Sequence, residues 1–551
     1  MRSPDAKLRR IWSAGLVVVL AGALVACGGE KQKQAQVKTG GPRPRGGTVV
    51  VGMLNDFGPL NPLVNTDQYT DELIKYGLFT PLIQLDEKLN PVPYLAQGWD
   101  MTGDTGVVFH LRHDVLWHDG EPVTAQDVKF TFDLAKDPAT ASLLAESYLS
   151  RVDRAQVADS YTVRFHFSQP HAQAIQDFWW APVPQHILGR IPPAQLRDAD
   201  FNRRPVGSGP YHFNMWQAND RLVVERELRF PAALGGPPAL DRVVFRIIPE
   251  PSTLIAELLS GGIHVDLPLS PEQIPNVKGN PKLQFFAFPG RTVYFIAWNN
   301  KRAPFTDARV RKAMTLAIDR KQITDALLMG YGKEATSPIP PWSPLAPDVQ
   351  PLPVDRKQAM QLLADAGYTV KNNAQWVTNE AGQPIHFTLI TNNRPLNVAV
   401  AQVVQANLRG VGVQMDVRPM EFQTFLAQYK SRDFDASFGN WVMDNFQVAS
   451  APYALFSSSL AAVAGSSNRA GVASPKLDQL MARAAAATSD KEAASAWKAF
   501  AEELQAEQPF TFMFWWAEMS AVDRRVQGVV MDPRGQLLSM KDWWVEGGRL
   551  R

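Results

Sequence analysis

The sequence predicts an α/β protein of several domains, and three observations carry that expectation. Segments with strand-like alternation of apolar and polar residues recur between segments with helical spacing, the arrangement of sheets covered by helices. The 551 residues amount, at roughly 150 per domain, to three or four domains of chain. Hydrophobic residues at 45% and charged residues at 20% suffice for a large buried core under a solvated surface. The same composition removes some functions. A formal net charge of +2 offers no basic face for nucleic acid. The single cysteine, Cys27, forbids an intrachain disulfide and any multi-cysteine zinc site.

In chain order, residues 1–26 read as a signal peptide. Arg2, Lys7, Arg9 and Arg10 supply a positive start, and Ile11 to Ala26 is apolar but short for a bilayer span. The run ends Leu24-Val25-Ala26-Cys27. This ending resembles the bacterial lipobox, which implies that Cys27 is acylated and becomes the first mature residue. Gly28 after it leaves open which membrane holds the anchor. Residues 27–46 are polar and Gly-rich with Pro42 and Pro44, the composition of a flexible tether. No later apolar run is long enough to cross a membrane.

Thr48 to Met53 is an apolar strand, Leu60-Asn61-Pro62 a turn, and Thr70 to Phe79 a helix. Between Val107 and Leu134, Phe109 and Leu111 alternate with His110 and Arg112 as a half-buried strand does. Asp119-Gly120 marks a turn, and Thr124 with Asp127 three residues on has the spacing of a capping box before a helix that buries Val128 and Phe132. Strands follow at Tyr161–Phe167 and Leu240–Ile248, with a helix near Ser252 to Leu259. Val293–Asn299 is a strand. Asp307 caps a helix with Val310, Ala313, Met314, Ala317 and Ile318 on one face. A helix from Asp355 to Ala366 closes on Gly367. A strand at Ile385–Ile390, a helix at Asn397–Arg409 and strands through Val413–Val417 and Asp433–Phe438 come next. Ser474-Pro475 opens a helical pair reaching Gln508, and Phe510–Trp516 is the last strand.

Motifs for catalysis are missing. His110, His113 and His118 crowd one stretch, but no H-E-x-x-H pattern or cysteine cluster supports a metal site, and none is expected. Ser208 lies in G-S-G, not in the G-x-S-x-G elbow of a hydrolase. No phosphate-binding glycine loop or dinucleotide fingerprint is present, so no cofactor is expected.

Phe109-His110-Leu111-Arg112, then Trp117-His118-Asp119-Gly120, then Pro122 through Thr131 closely resemble the signature of the bacterial extracellular solute-binding proteins of the peptide and nickel class, family 5. Pro205-Val206-Gly207-Ser208-Gly209-Pro210-Tyr211 and Pro304-Phe305 through Ala317-Ile318-Asp319-Arg320 follow the same family, and the likeness runs from about residue 46 to 545. The resemblance implies a periplasmic-binding-protein-like fold of two lobes, class II in type, with an extra domain inserted in the first. It divides the chain into lobe I at 47–77, 205–290 and 518–551, an inserted domain at 78–204, and lobe II at 291–517.

The resemblance also implies a function and a site. Relatives capture short peptides between the lobes and deliver them to an ABC permease and its ATPase. The implied protein is therefore no enzyme, sits outside the cytoplasm on a lipid anchor, and is expected to be a monomer. Asp444, three residues after Trp441, stands where peptide-binding members place the carboxylate that meets the ligand amine, with Trp441 as a pocket wall. A carboxylate in a poorly hydrated cleft attracts a cation far more than one in water does. Many relatives continue with Asp-Pro, whereas this chain has Asn445-Phe446-Gln447, so Asn445 also faces the site in this reading. Arg394, in an Arg-Pro step, matches a residue that meets the ligand carboxylate in some dipeptide-binding relatives, and its fork suits that partner. Taken by themselves, the residues leave Asp444 free to order its own loop and Arg394 free to be solvated. Other readings are a protein for a nickel chelate, opine, sugar or antibiotic, a peptide sensor or chaperone without transport, and a surface hydrolase.

Overall fold

The computed structural model describes residues 44–170, 173–371, 374–443, 448–463 and 465–547. The signal-peptide and Cys27 expectations lie outside the described residues. One large sheet runs through the rest. Its strands follow the order Gln414–Met420, His386–Asn392, Ala436–Val442, Leu283–Trp298, Phe510–Asp523, Val265–Leu267, Thr48–Met53, Arg242–Ile247, Arg221–Arg226 and Tyr211–Gln217, with Gly332–Glu334 also paired to Phe510–Asp523. Thr48–Met53 is parallel to both its neighbours, and His386–Asn392 is parallel to both of its own. Helices connect these parallel neighbours, among them Pro251–Ser260 and Pro395–Arg409, as parallel pairs require.

A separate antiparallel sheet orders Ala96–Met101, Gly106–Leu111, Thr162–Phe167 and Val152–Asp159. Helix Ala125–Lys136 covers it and closes its N-terminus with the expected capping box of Thr124 and Asp127. Phe109, Phe132, Phe165 and Phe178 meet between helix and sheet, the Phe109 and Phe178 rings 4.7 Å apart. His110, on the opposite face of its strand, reaches out to Asp100 at 2.9 Å, as the alternation predicts.

The strand Leu283–Trp298 is 16 residues long and Phe510–Asp523 is 14, and each passes from one apolar core into another. Beyond residue 292 the period of two separates the cores cleanly. Val293, Phe295 and Ala297 face the cluster around Phe456, Trp497 and Phe510, while Tyr294, Ile296 and Trp298 face the one around Val310, Phe387 and Val404. At the other end Leu283 packs with Leu254 and Ile274.

These two strands differ from the sequence reading, which began one at Val293 and ended the other at Trp516. Pro289-Gly290 reads as a turn signal. Here it lies at a register shift between Pro289 and Val293, where the ladder is already interrupted. A Cβ on Gly290 would lie 2.8 Å from the carbonyl oxygen of Trp516, so the absence of a side chain is what lets the strands stay adjacent there. Ala436–Val442 also begins and ends later than expected, so Trp441 belongs to the strand and not to the loop after it. Asp433 is instead held by Arg302 at 2.7 Å, and Asp435 accepts from Thr388 N, both ahead of or at the strand's entry. The predicted helix at Thr70–Phe79 is an α-helix over Gln68–Leu73 that widens into a π-turn over Ile74–Leu78.

Candidate functional site

A cleft opens where three parts of the chain converge. Helix Gln68–Leu73 and the loop before it form one wall, Leu143–Tyr148 with Trp180 a second, and Arg291 with Val442 and Met443 a third. The helix starts at Asp67, whose carboxylate accepts from Thr70 N at 2.8 Å and from the Thr70 hydroxyl at 2.7 Å. Its π-turn then carries Lys75 toward the second wall.

The floor of the cleft is a buried ion pair. Arg291 Nη2 donates to Glu72 Oε1 at 3.1 Å, and both side chains are almost wholly buried. The other carboxylate oxygen of Glu72 accepts from Gln536 N at 2.7 Å and Leu537 N at 3.1 Å. A charge taken from water needs such completed bonding, and Glu72 obtains it from segments 219 and 464 residues away. Burial pushes the Glu72 carboxyl up to about 7, against the downward pull of Arg291. The Arg291 carbonyl accepts from Met443 N at 3.0 Å, which fixes Val442 and Met443 beside the cleft.

Lys75 stands on the second wall. Its ammonium donates to Asp71 at 2.7 Å and to the Tyr148 hydroxyl at 3.0 Å, and lies 4.0 Å from the centre of the Trp179 ring. Burial draws its pKa down, but Asp71 and Tyr148 outweigh that and hold the ammonium above its usual range. A second recess lies between Trp99 and Trp342. The segment 173–181 lines both spaces, and Trp342 donates to the carbonyl of Gly290, next to Arg291, at 3.0 Å.

Asp444 and Asn445 lie outside the described residues, directly after Met443. Trp441 is half-buried against the apolar cluster of the second half, while its neighbours Val442 and Met443 line the cleft. Arg394 is exposed at the head of helix Pro395–Arg409, and its charge is felt by the Tyr294 hydroxyl, whose pKa burial raises and Arg394 lowers. Neither Trp441 nor Arg394 borders the cleft. The sequence reading missed Glu72, Arg291, Lys75 and Tyr148. Their partners are distant in the chain, and a charged residue within a helix or strand carries no mark of burial.

The histidines take separate partners. His113 stacks on Tyr161 with centroids 3.9 Å apart. His118 accepts from Gly207 N at 3.1 Å and bonds the Gly209 carbonyl at 3.1 Å, and burial lowers its pKa to about 4. It thus clamps the P-V-G-S-G-P-Y segment, where a Cβ on Gly207 would lie 1.9 Å from the Leu78 carbonyl oxygen. Among the described residues no cluster of three or more His, Cys, Asp or Glu is arranged to hold a metal. Among them, too, no helix is long and apolar enough to cross a membrane.

Residues 90–462 match the middle region of the bacterial extracellular solute-binding proteins, family 5, which is more than half the chain. The chain belongs to that family. It is 28% identical over 544 residues to the oligopeptide-binding protein AppA of Bacillus subtilis, covering 96% of this chain and 97% of AppA. The structure of that AppA in complex with a nonapeptide superposes with a TM-score of 0.76 at 26% identity, over 92% of this chain and 100% of AppA. NikZ from Campylobacter jejuni in complex with Ni(L-His) superposes with a TM-score of 0.78 at 23% identity, over 90% and 99% of the two chains. The two-lobe fold of family 5 binding proteins is therefore the fold of this chain, as the resemblance implied.

Proposed function

We propose that this family 5 protein is the substrate-binding protein of an ABC importer and takes short peptides between its lobes. The observation that supports the reading is the cleft itself, which joins helix Gln68–Leu73, the Tyr148 wall and the Arg291–Met443 junction; Asp444 is the next residue of the chain after Met443. In this reading Asp444 holds the peptide's free amine, with Trp441 and Asn445 supporting the loop, and Arg394 meets a distant carboxylate. The recess between Trp99 and Trp342 gives the rest of the ligand a course beyond the anchored end. The lobes follow the division at 47–77, 205–290 and 518–551 against 291–517, with 78–204 inserted, and close by hinge motion. Cys27 anchors the protein by lipid to the outer face of a membrane, where the closed form meets permease and ATPase. Binding without turnover accords with the family.

The test is calorimetry on wild type and Asp444→Asn, each with a free-amine peptide and its N-acetyl form. Losing one partner of a buried charge pair costs about 2–5 kcal/mol, which is roughly 30-fold to several thousand-fold in affinity. Acetylation should cost wild type a similar factor and the variant much less. Equal binding of free and acetylated peptide by wild type removes the role given to Asp444. Binding of Ni(L-His) in place of any peptide would favour the second reading, a metal chelate, which the likeness to NikZ supports.

A further inference from the structure

The cleft holds hydrogen-bond donors without acceptors among the described residues. The Tyr148 hydroxyl is one. It accepts from the Lys75 ammonium at 3.0 Å, and an ammonium only donates, so the phenolic proton must point elsewhere. Among the described residues no group accepts that proton. Tyr148 is 6% exposed and lines the cleft, so bulk water does not stand in readily. The indole N–H of Trp180, a second residue of the same wall, is buried and also has no acceptor among the described residues.

Acceptors without donors face them. Asp71 Oδ2 takes the Lys75 ammonium, while its Oδ1 has no donor among the described residues. Asp67 Oδ1 caps the helix, and its Oδ2 is likewise open. Both carboxylates line the cleft. The cations there are already matched, Lys75 by Asp71 and Arg291 by Glu72, so the cleft has no spare positive charge for an anionic guest. A guest that satisfies this wall must accept at one atom and donate at another close by, and it finds no cation there to meet a negative charge.

Resting on the peptide reading above, we infer that Tyr148 and Asp71 select a primary amide side chain, asparagine or glutamine, on the first residue of the ligand. The amide oxygen accepts from the Tyr148 hydroxyl and the amide nitrogen donates to Asp71. Lys75 is a positioning residue that fixes the direction of the Tyr148 proton. Val442 and Met443 border the same space, and the peptide reading gives the ligand amine to Asp444, next in the sequence, so on that reading the side chain concerned is that of the first residue.

The probes are the tripeptides Gln-Ala-Ala, Glu-Ala-Ala and Leu-Ala-Ala, titrated by calorimetry into wild type and Tyr148→Phe. Wild type should bind the Gln peptide about tenfold or more tighter than either other, the worth of completing a buried polar pair. Tyr148→Phe keeps the ring and should erase the preference for Gln over Leu, the Gln peptide losing about tenfold more affinity than the Leu peptide. Equal affinity of wild type for Gln and Leu, a preference for Glu, or an equal loss on all three peptides in the variant overturns the assignment. If none of the three binds wild type, the peptide reading itself fails. If all bind alike, that reading stands and only the amide selection falls.

Discussion

Exchanging Arg291 for methionine removes a cation from a place that water hardly reaches. Arg291 and Glu72 are 2% and 1% exposed, with nitrogen and oxygen 3.1 Å apart. In the variant Glu72 keeps the amides of Gln536 and Leu537 but loses its counter-ion, and Glu518 still adds repulsion. Removing one partner of a buried pair costs about 3–5 kcal/mol. Methionine fills much of the space of the arginine stem, so little of this is packing. Protonation of Glu72 offers relief. Its folded pKa, about 7, already lies above the ordinary 4.5 of a glutamate, and loss of Arg291 drives it higher. A carboxyl raised in this way holds a proton in the folded form that the unfolded chain releases, so stability falls as pH rises from the unfolded value through the folded one. Arg291→Met should therefore lose nearly the full amount at about pH 8 and much less at about pH 5. Urea unfolding followed by tryptophan fluorescence, on wild type, Arg291→Met, Glu72→Gln and the double variant, measures this. Adding Glu72→Gln to Arg291→Met should recover part of the loss at the higher pH. A loss there of less than about 1 kcal/mol, or an equal loss at both pH values, would refute the buried-pair argument.

Two further outcomes are expected. Intact-mass analysis of membrane fractions from the native host should show the protein without residues 1–26 and with acyl mass at Cys27, since two or more chains give stable attachment. A soluble native protein with free Cys27 would disprove the anchor. His118→Phe should lose about 2–4 kcal/mol by stranding Gly207 N and the Gly209 carbonyl. Because the folded pKa of His118, about 4, lies below the ordinary 6.5, its contribution is present above 6.5 and is lost as pH falls toward 4. The variant's stability should lack that part of the acid slope, and an unchanged slope between those values in urea melts would count against a neutral, clamped imidazole.

The fold was largely legible because its signals are local. The capping box at Thr124, the caps at Asp307 and Ser474, and the alternation in Thr162–Phe167 each depend on residues a few positions apart, and the structure keeps all of them. The long strands were read short because what holds each of them extended, past Pro289-Gly290 in one and past Trp516 in the other, is the neighbouring strand, more than 200 residues away in the chain. For the site, family likeness pointed to Asp444, which lies outside the described residues, and to Arg394, which does not border the cleft. The Glu72–Arg291 floor and the Lys75–Tyr148 wall were not legible. Each is assembled by tertiary packing from segments with no shared period, and no property of Arg291 as a letter in the sequence says that its guanidinium is buried.

The paired strands Leu283–Trp298 and Phe510–Asp523 act as a flexure between the two cores. Such a strip resists stretching and sliding, since either breaks many ladder bonds at once, and it yields to twisting and to bending across its face. It gives first where the ladder is already interrupted, between Pro289 and Val293. Motion of one core against the other is thereby channelled into rotation about that joint. Arg291 sits on the joint, at the fulcrum, where a given rotation moves atoms least. If the lobes close about this joint as proposed, the inner end of a ligand would be gripped in nearly its final geometry from the moment of entry, and the travel of closure would fall on the outer rims, which sweep the widest arc.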